Sequence, residues 1–441
     1  MNLPRTHWDK IRPQFDALPY PNRPLEESPR DQPDYLAVHN CVIPYYLRDH
    51  RVTDPAGRWI LDAGCGSGYK LLALAIANPG ANIVGVDISP TSLELAQQRL
   101  EYHQIENPSH FHCLAIEELP DLPYRFDYIN CDDVLYLLED PVAGLQAMKS
   151  VLKPEGIIRA NMHSSLQRAN YYRVQQFLTR LGCLEGAPTP DEIGVTRQMM
   201  ATLNDWVISK RQTWGPQCET DDQVVLMNHL FRGDTGITMA EFSAMLQKAG
   251  LEFITMVNWR QWNLEKLFQN IEKLPAAVAE SLAEMSIEQQ LHVFELLHPV
   301  HRLLDLYCGH PSQGQQRPPV AEWNESSWQQ ATAYIHPQLN TDAFRQALAT
   351  ATEKLELIPF DKYLLLSNPG INVDSSFASC LQALLEGPQT VMSLQARWLK
   401  GRPLDLLTLA PTKPEKAFET VRSFLLDLEQ AGYVMVEIPA S

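Results

Sequence analysis

The stretch Trp59–Ser89, WILDAGCGSGYKLLALAIANPGANIVGVDIS, reads as strand, glycine loop, helix and strand in turn. An apolar run from Trp59 to Asp62 reads as a strand and feeds the glycine loop Asp62-Ala63-Gly64-Cys65-Gly66-Ser67-Gly68. A helical pattern from about Tyr69 to Ala77 follows, ended by Asn78-Pro79-Gly80. Ile83 to Val86 reads as a second strand, and Ser89 before Pro90 is an N-cap with proline at the first helical position. Glycines at such a turn permit backbone angles denied to other residues, and they let a ligand lie against the main chain at a helix N-terminus. Asp87, closing the second strand, offers a carboxylate that can accept hydrogen bonds from both hydroxyls of a ribose.

The alternation continues beyond this stretch. Asp140-Pro141 repeats the helix start, that helix ends at Lys153-Pro154-Glu155-Gly156, and Ile157 to Met162 is a further strand. Strand and helix in turn point to a parallel sheet covered by helices. After Ser164 the pattern becomes helical around 166–181 and 195–210. TMAEFSAMLQKAG then leads into LEFITMV, a helix feeding a strand that can rejoin the sheet. Residues 264–310 read as helical, and 311–328 have the Pro, Gly, Gln and Ser content of a linker or long loop. Phe377, Leu381, Leu384 and Leu385 form one helical stripe, and Phe418, Val421, Leu425 and Leu428 another. With Tyr433 to Ile438 as a short strand, the last hundred residues suggest an α+β unit of winged-helix type. The proline- and aromatic-rich first fifty-odd residues read as an extended arm. The expected divisions are 1–55 arm or lid, 56–260 sheet domain, 261–340 helical segment and linker, and 341–441 regulatory or interaction domain.

Composition narrows the function. The 441 residues carry 53 acidic against 36 basic side chains, a net charge of −17. Nucleic-acid binding depends on Lys and Arg neutralising phosphates, so that partner is disfavoured. No run of eighteen apolar residues occurs and the first residues lack a signal-like stretch, so a cytoplasmic location without a membrane partner is expected. Eight cysteines without a C-x-x-C read as reduced thiols, and no His, Cys or carboxylate set has a recognised metal spacing; no metal is expected.

Two ligand classes use a glycine loop with an acid on the next strand: dinucleotides and S-adenosylmethionine. The dinucleotide fingerprint needs a third glycine at the sixth place of G-x-G-x-x-G, where this chain has Tyr69. The third glycine is Gly68 instead, and Asp62, badly placed for pyrophosphate, suits a ligand that carries an ammonium group.

On these residues the chain resembles class I S-adenosylmethionine-dependent methyltransferases. LDAGCGSG resembles their first motif and GVDIS the ribose-binding end of their second strand. FDYINCDDVLYLLEDPVAGLQAMKSVLKPEGII is similar to their fourth strand through fifth strand. The wider arrangement (PYPNRP, MNHLFRGDTGITMAEFSAMLQKAGL, YIHPQL) is similar to bacterial members with a C-terminal regulatory domain, a group that includes protein lysine methyltransferases. The resemblance implies a Rossmann-like, mostly parallel seven-stranded sheet with helical insertions, and S-adenosylmethionine converted to S-adenosylhomocysteine. Carried over, it gives Asp62, Gly64, Cys65 and Gly66 as the floor under the methionine moiety, with Gly68 supporting the turn. Asp87 would hold the ribose and Ile88 would pack on the adenine. The family's adenine-binding acid falls near Ala115, so Glu117, Glu118 or backbone near Ile116 would substitute.

Acceptor-side candidates should lie at the carboxyl ends of the strands. They are Asp132 and Asp133 after the fourth strand, of which Asp132 is also a cofactor candidate, with Tyr136 one turn on, His163 after the fifth strand and His229 in the NHLFRG segment. Tyr20 is a candidate lid. Between Glu117 and Asp140 lie eight acids (Glu117, Glu118, Asp121, Asp127, Asp132, Asp133, Glu139, Asp140) and one base, Arg125. An acid-rich edge predicts a basic acceptor, so a protein or peptide amine is the first expectation. A phenol, quinone precursor or natural-product intermediate is the alternative, and a non-catalytic S-adenosylmethionine-binding module is the third.

Overall fold

The computed structural model of the chain describes Arg12, Asp16 and residues 19–183, 190–231, 233–314, 317–366 and 370–439. Strands β1 (Trp59–Ala63), β2 (Asn82–Asp87), β3 (Ser109–Cys113), β4 (Phe126–Cys131) and β5 (Leu152–Ser164) pair in parallel, in the order β3-β2-β1-β4-β5. The helices between them start where the sequence placed them. Ser89 Oγ accepts from the Ser92 N–H at 3.1 Å, and Asp140 accepts from Val142 and Ala143 N–H at 2.9 and 3.2 Å, with proline next in both. The Lys153–Gly156 turn belongs to β5 itself: Leu152 pairs with Phe126 and Ile157 with Tyr128, so the register shifts between them and the extra residues bulge.

Beyond β5 the two-residue strand β6 (Gly236–Ile237) pairs with His163 and Ser164. The helix Met239–Ala249, closed by a capping box at Thr238 and Glu241 and a left-handed Gly250, feeds β7 (Glu252–Met256). The expected helical run over 264–310 is corrected at its end. Leu303–Gly309 is a strand, β8, which slots antiparallel between β5 and β7 and completes a seven-strand path, β3-β2-β1-β4-β5-β8-β7. The sheet domain therefore runs to Gly309 rather than 260. LLDLYCG shows no alternation because both faces of an interior strand are covered, and such a run is indistinguishable by period from a buried helix. Between β5 and β6, helices at Ala169–Arg180, Pro190–Thr202, Ile208–Thr213, Gln217–Thr220 and Asp222–His229 form an insertion with its own small core.

The C-terminal unit also starts earlier than expected. β9 (Thr332–Ile335) is the centre of a three-stranded antiparallel sheet with β12 (Gln389–Thr390) and β13 (Val434–Glu437); β10 (Ile358–Pro359) and β11 (Asn372–Val373) make a separate pair. Val320, Trp323 and Trp328, inside the stretch read as linker, pack in the core of this unit. The order helix Ala378–Glu386, β12, helix Val391–Gly401, helix Pro414–Ala431, β13 is winged-helix-like, but the third strand comes from β9 upstream.

The described part of the arm contains two helices, Pro33–Ala37 and Val42–Asp49, where extended chain was expected. Burial of Leu36, Val42, Tyr45 and Tyr46 outweighs the local proline content. Tyr46 hydroxyl donates to Glu429 at 2.9 Å and accepts from the Val436 N–H at 3.0 Å, and the Val52 N–H donates to Glu437 at 2.9 Å. The arm thus joins the sheet domain to β13. Among the described residues no helix is long and apolar enough to cross a membrane.

Candidate active site

The carboxyl ends of β1, β2 and β4 open on a cleft lined by Gly64, Cys65, Gly66, Asp87, Ile88, Ile116, Asp132 and Asp133 among the expected residues. Gly64, Gly66 and Gly68 all have left-handed backbone, with φ of 80°, 51° and 84°. Each is also crowded. A Cβ on Gly64 would lie 2.6 Å from a Val134 methyl, on Gly66 2.1 Å from the Tyr20 carbonyl oxygen, and on Gly68 2.5 Å from Ala96 Cα. Asp87 accepts from the Gly66 and Ser89 N–H groups, both at 2.9 Å, which fixes its carboxylate at the rim of the cleft and leaves each oxygen a second lone pair. Burial raises its pKa above the usual carboxylate value.

Asp62 lies beneath the loop, fully enclosed. Its Oδ1 accepts from Asn130 Nδ2 at 2.8 Å, while Oδ2 has no hydrogen-bond partner. Burial pushes its pKa up to about 7. A buried carboxylate oxygen left unsatisfied is costly, and an ammonium group brought against it relieves that cost. The cleft surface fits the cofactor that the loop implies, with a glycine cradle that side chains would fill and Asp87 for the ribose; Asp62, whose unpaired oxygen suits an amino group, sits behind that surface and does not itself line the cleft. Glu117 does not line the cleft; Glu118, beside it, accepts from the Ala115 N–H at 2.8 Å and closes the local turn. The apolar wall there is Leu114 and Ile116.

A strap of arm residues crosses the loop. The Ser67 N–H donates to the Tyr20 carbonyl at 2.9 Å and Ser67 Oγ to the Pro21 carbonyl at 2.6 Å. Arg99, buried, donates to the carbonyls of Ser67, Pro24 and Arg23 at 3.1, 2.8 and 2.9 Å, tying strap to loop. Tyr20 lines the cleft, and its phenol lies within the field of Asp133, Lys70 and Arg302.

The acids after β4 are not an open acidic edge. Asp132 is buried, 3.0 Å from the Lys70 amine and 3.7 Å from Arg159, and it accepts from Asn161 Nδ2 at 2.6 Å. Burial opposes its ionisation, but Arg159, Lys70 and His39 outweigh that and hold its pKa below the carboxylate range. Asp133, with φ of 61°, accepts from Lys70 at 3.4 Å and from Arg302 at 3.3 Å. Its pKa is also lowered, by Lys70 and Arg302 against the effect of burial. Arg159 in turn forks onto Asp305 of β8 at 2.6 and 3.1 Å. Asp127 sits at the far end of β4, paired with Lys153 at 2.7 Å and Arg58 at 3.3 Å. Of the eight acids of 117–140, Glu118 and Asp140 hold a turn and a helix cap while Asp127, Asp132 and Asp133 are ion-paired, so the stretch is not the open acid-rich groove that was expected.

His163 joins this network. Its Nδ1 lies 2.6 Å from Asp234, and its Nε2 lies 2.9 Å from Arg302 Nη1. Arg302 can only donate, so the arrangement requires neutral imidazole with the proton on Nδ1. Burial accordingly lowers the pKa of His163, against the pull of Asp234. Tyr136 stacks on the imidazole with ring centroids 4.0 Å apart. Asp234, wholly enclosed, also takes a 2.6 Å ion pair from Arg168 and a 3.0 Å bond from Gln175. His229 is not at the cleft. It packs inside the helical insertion against Trp214 and Tyr171, at 5.1 and 5.5 Å between centroids, with its pKa lowered to about 4 by burial and by Arg168.

Sequence reading did not single out Lys70, Arg159, Asp234, Arg302 or Asp305. A signal existed for two of them. Arg159 in GIIRANMHS and Asp305 in LLDLYCG are lone charges of opposite sign in apolar runs, and such charges need a partner on a neighbouring strand.

A family profile described as a methyltransferase domain matches residues 56–293, more than half of the chain. The chain belongs to that methyltransferase family. An uncharacterised protein of a Synechococcus sp. is 26% identical over 310 residues, covering 70% of this chain and 73% of its own. The ubiquinone biosynthesis O-methyltransferase of Idiomarina loihiensis is 40% identical over 103 residues, 23% of this chain; the match spans only 41% of that relative's length. Among solved structures, PKMT2 from Rickettsia typhi in complex with AdoHcy is similar in fold, with a TM-score of 0.58 at 18% identity over 92% of this chain and 75% of that one. The protein is an S-adenosylmethionine-dependent methyltransferase with the expected Rossmann-like sheet, and among the described residues no cluster of metal-ligating side chains occurs.

Proposed function

We propose that the acceptor is a hydroxyl oxygen of a small molecule, a phenol or quinone precursor, and that Arg302 receives that oxygen as it becomes an anion. The observation that carries this is the saturation of Asp132 and Asp133 by Lys70, Arg159 and Arg302, which leaves no free carboxylate at the candidate acceptor side to attract a lysine ammonium. The side chain of Arg302 is 45% exposed beside Asp133, so part of its guanidinium is open to an incoming oxygen.

The cofactor supplies an electrophilic methyl group in this reading; the chain supplies placement. Asp62 takes the amino group, Gly64, Cys65 and Gly66 form the floor, Gly68 holds the turn, Asp87 takes the ribose, and Ile88 with Ile116 packs against the adenine. Methyl transfer is an in-line displacement, so its rate depends chiefly on orientation, with a base needed only to take the acceptor's proton. His163, neutral and oriented by Asp234, is the base, with Tyr136 stacked to fix its plane. Arg302 leaves the imidazole to meet the oxygen, which frees Nε2 to accept the phenolic proton. Asp133 holds Arg302 in reach throughout. Tyr20 and its strap close the cleft, and the C-terminal unit serves recognition or regulation in a cytoplasmic enzyme.

The deciding experiment incubates the pure protein with methyl-labelled S-adenosylmethionine and fractionated lysate. Label in extractable small molecules, lost in Arg302→Gln while cofactor binding persists, supports the proposal. Label in protein restores the peptide-amine reading, and no transfer despite tight cofactor binding supports a non-catalytic module.

A further inference from the structure

The loop between helices Val391–Gly401 and Pro414–Ala431 folds back as a tight knuckle. Leu404 bridges Pro411, the Thr412 N–H donates to the Pro403 carbonyl at 2.9 Å, and Thr412 Oγ1 donates to the Arg402 carbonyl at 2.8 Å. Asp405 organises the tip: its Oδ1 accepts from the Leu407 and Thr408 N–H groups, both at 3.0 Å, and its other oxygen pairs with Lys416. The backbone N–H of Leu409 returns to the Asp405 carbonyl at 2.8 Å. Leu409 itself has a φ of 56°, a conformation leucine rarely adopts.

This rigid tip presents leucines to solvent. Leu404, Leu406, Leu407 and Leu409 are 46, 69, 95 and 71% exposed, a concentration of aliphatic surface that soluble faces avoid. The charge around it differs from that of the chain. Residues 397–416 carry five basic side chains (Arg397, Lys400, Arg402, Lys413, Lys416) against two acidic ones, Asp405 and Glu415, whereas the whole chain is strongly acidic. Lys400 and Arg402 precede the knuckle and Lys413 follows it, so these cations sit at its two chain ends, Arg402 also 3.9 Å from Asp374, while the leucines occupy the turn between them.

We infer that the knuckle is a peripheral membrane contact, in which Leu406, Leu407 and Leu409 enter the outer edge of an anionic lipid bilayer. Lys400, Arg402 and Lys413 lie at the level of the headgroups. An apolar tip over basic residues is the pattern that binds such surfaces, through buried aliphatic area and attraction to acidic lipids together. A protein groove is the weaker fit, because energetic anchors at protein interfaces are enriched in Trp, Tyr and Arg and poor in leucine. The expectation of no membrane partner rested on the lack of a spanning segment, which is silent on contact of this kind. The contact needs no particular acceptor.

The test is flotation of the full chain with vesicles of phosphatidylcholine alone or mixed with phosphatidylglycerol. The protein should float with the mixed vesicles, less so as salt rises. Leu407→Asp should lower the partition coefficient onto mixed vesicles roughly tenfold or more, since burying one leucine is worth that much. Leu407 is almost wholly exposed, so the variant should fold, and unchanged S-adenosylmethionine binding checks this. Lys400→Gln with Lys413→Gln should weaken binding to mixed vesicles only. Failure to float with either vesicle overturns the inference, as does equal flotation of Leu407→Asp. Sedimentation showing a dimer that Leu407→Asp dissolves overturns it in favour of a second copy of the chain.

Discussion

Protonation of Asp62 should set cofactor affinity against apo stability. Its carboxyl rises from an ordinary 3.8 to about 7 because it is buried with one oxygen unpaired. A rise of roughly 3 pH units corresponds to about 4 kcal/mol of differential cost for the charged form. For a carboxyl raised in this way, the folded state holds its proton more tightly than the unfolded chain. Its contribution to apo stability is thus fully present below 3.8, falls away as pH rises from there, and is gone above about 7. Cofactor binding runs the other way, since the ammonium group needs the ionised acid. Between pH 7 and 5.5 each unit of acidification should weaken S-adenosylmethionine about tenfold, reaching about thirtyfold at pH 5.5 relative to the plateau. Calorimetry from pH 5.5 to 7.5 measures this directly, with thermal unfolding of the apo protein in the same buffers. Asp62→Asn keeps the bond from Asn130 but turns an N–H₂ toward the ammonium. It should lower affinity roughly a hundredfold, flatten both pH dependences and raise apo stability at pH 8. A dissociation constant that stays level from pH 5.5 to 7.5, or wild-type affinity in Asp62→Asn, would refute this reasoning.

Three further outcomes are expected. Gly66→Ala drives a methyl to 2.1 Å from the Tyr20 carbonyl and should lift the strap and weaken cofactor binding roughly tenfold or more, whereas Gly57→Ala, at φ of 74° with open space around it, should cost only about 1 kcal/mol of stability; titration of both variants separates crowding from strain. Tyr46→Phe strands Glu429 and the Val436 N–H, and should cost about 2–3 kcal/mol, read as faster amide exchange in Val434–Glu437 with β4 and β5 still protected. Asp234→Asn leaves the buried guanidinium of Arg168 without its counter-charge and should cost about 3–5 kcal/mol in urea unfolding, with the Nδ1 proton signal of His163 shifted in nitrogen-resolved spectra.

What the sequence disclosed was what local chemistry dictates. The loop from Asp62 to Gly68, the caps at Ser89 and Asp140 and the acid at Asp87 each act within a few residues of themselves, so residue type and spacing suffice to read them. β8 escaped because an interior strand carries no alternation, and the two arm helices escaped because distant surfaces bury them. The charge network was hidden for a related reason. Lys70, Asp132, Arg159, Arg302 and Asp305 come from well-separated segments, and only the sheet order β1-β4-β5-β8, with Lys70 on the helix after β1, brings them together. The density of acids between Glu117 and Asp140 was therefore a poor guide to local field: their partners lie elsewhere in the chain.

The arm that grips both halves of the molecule changes what a cut between them would do. Tyr46 and Val52 reach β13 across more than 380 residues of sequence, while Tyr45, on the same helix, donates to the Asp127 carbonyl at 2.7 Å in β4. A protease nicking the chain between Gly309 and Val320 would sever the covalent route from sheet to C-terminal unit but leave this clasp intact. The two fragments should stay together through gel filtration and part only in denaturant. The protein is, in effect, a ready-made split enzyme whose first and last segments act as its fastener, and that closure between remote ends predicts slow folding, since such contacts form only after a long loop has been closed.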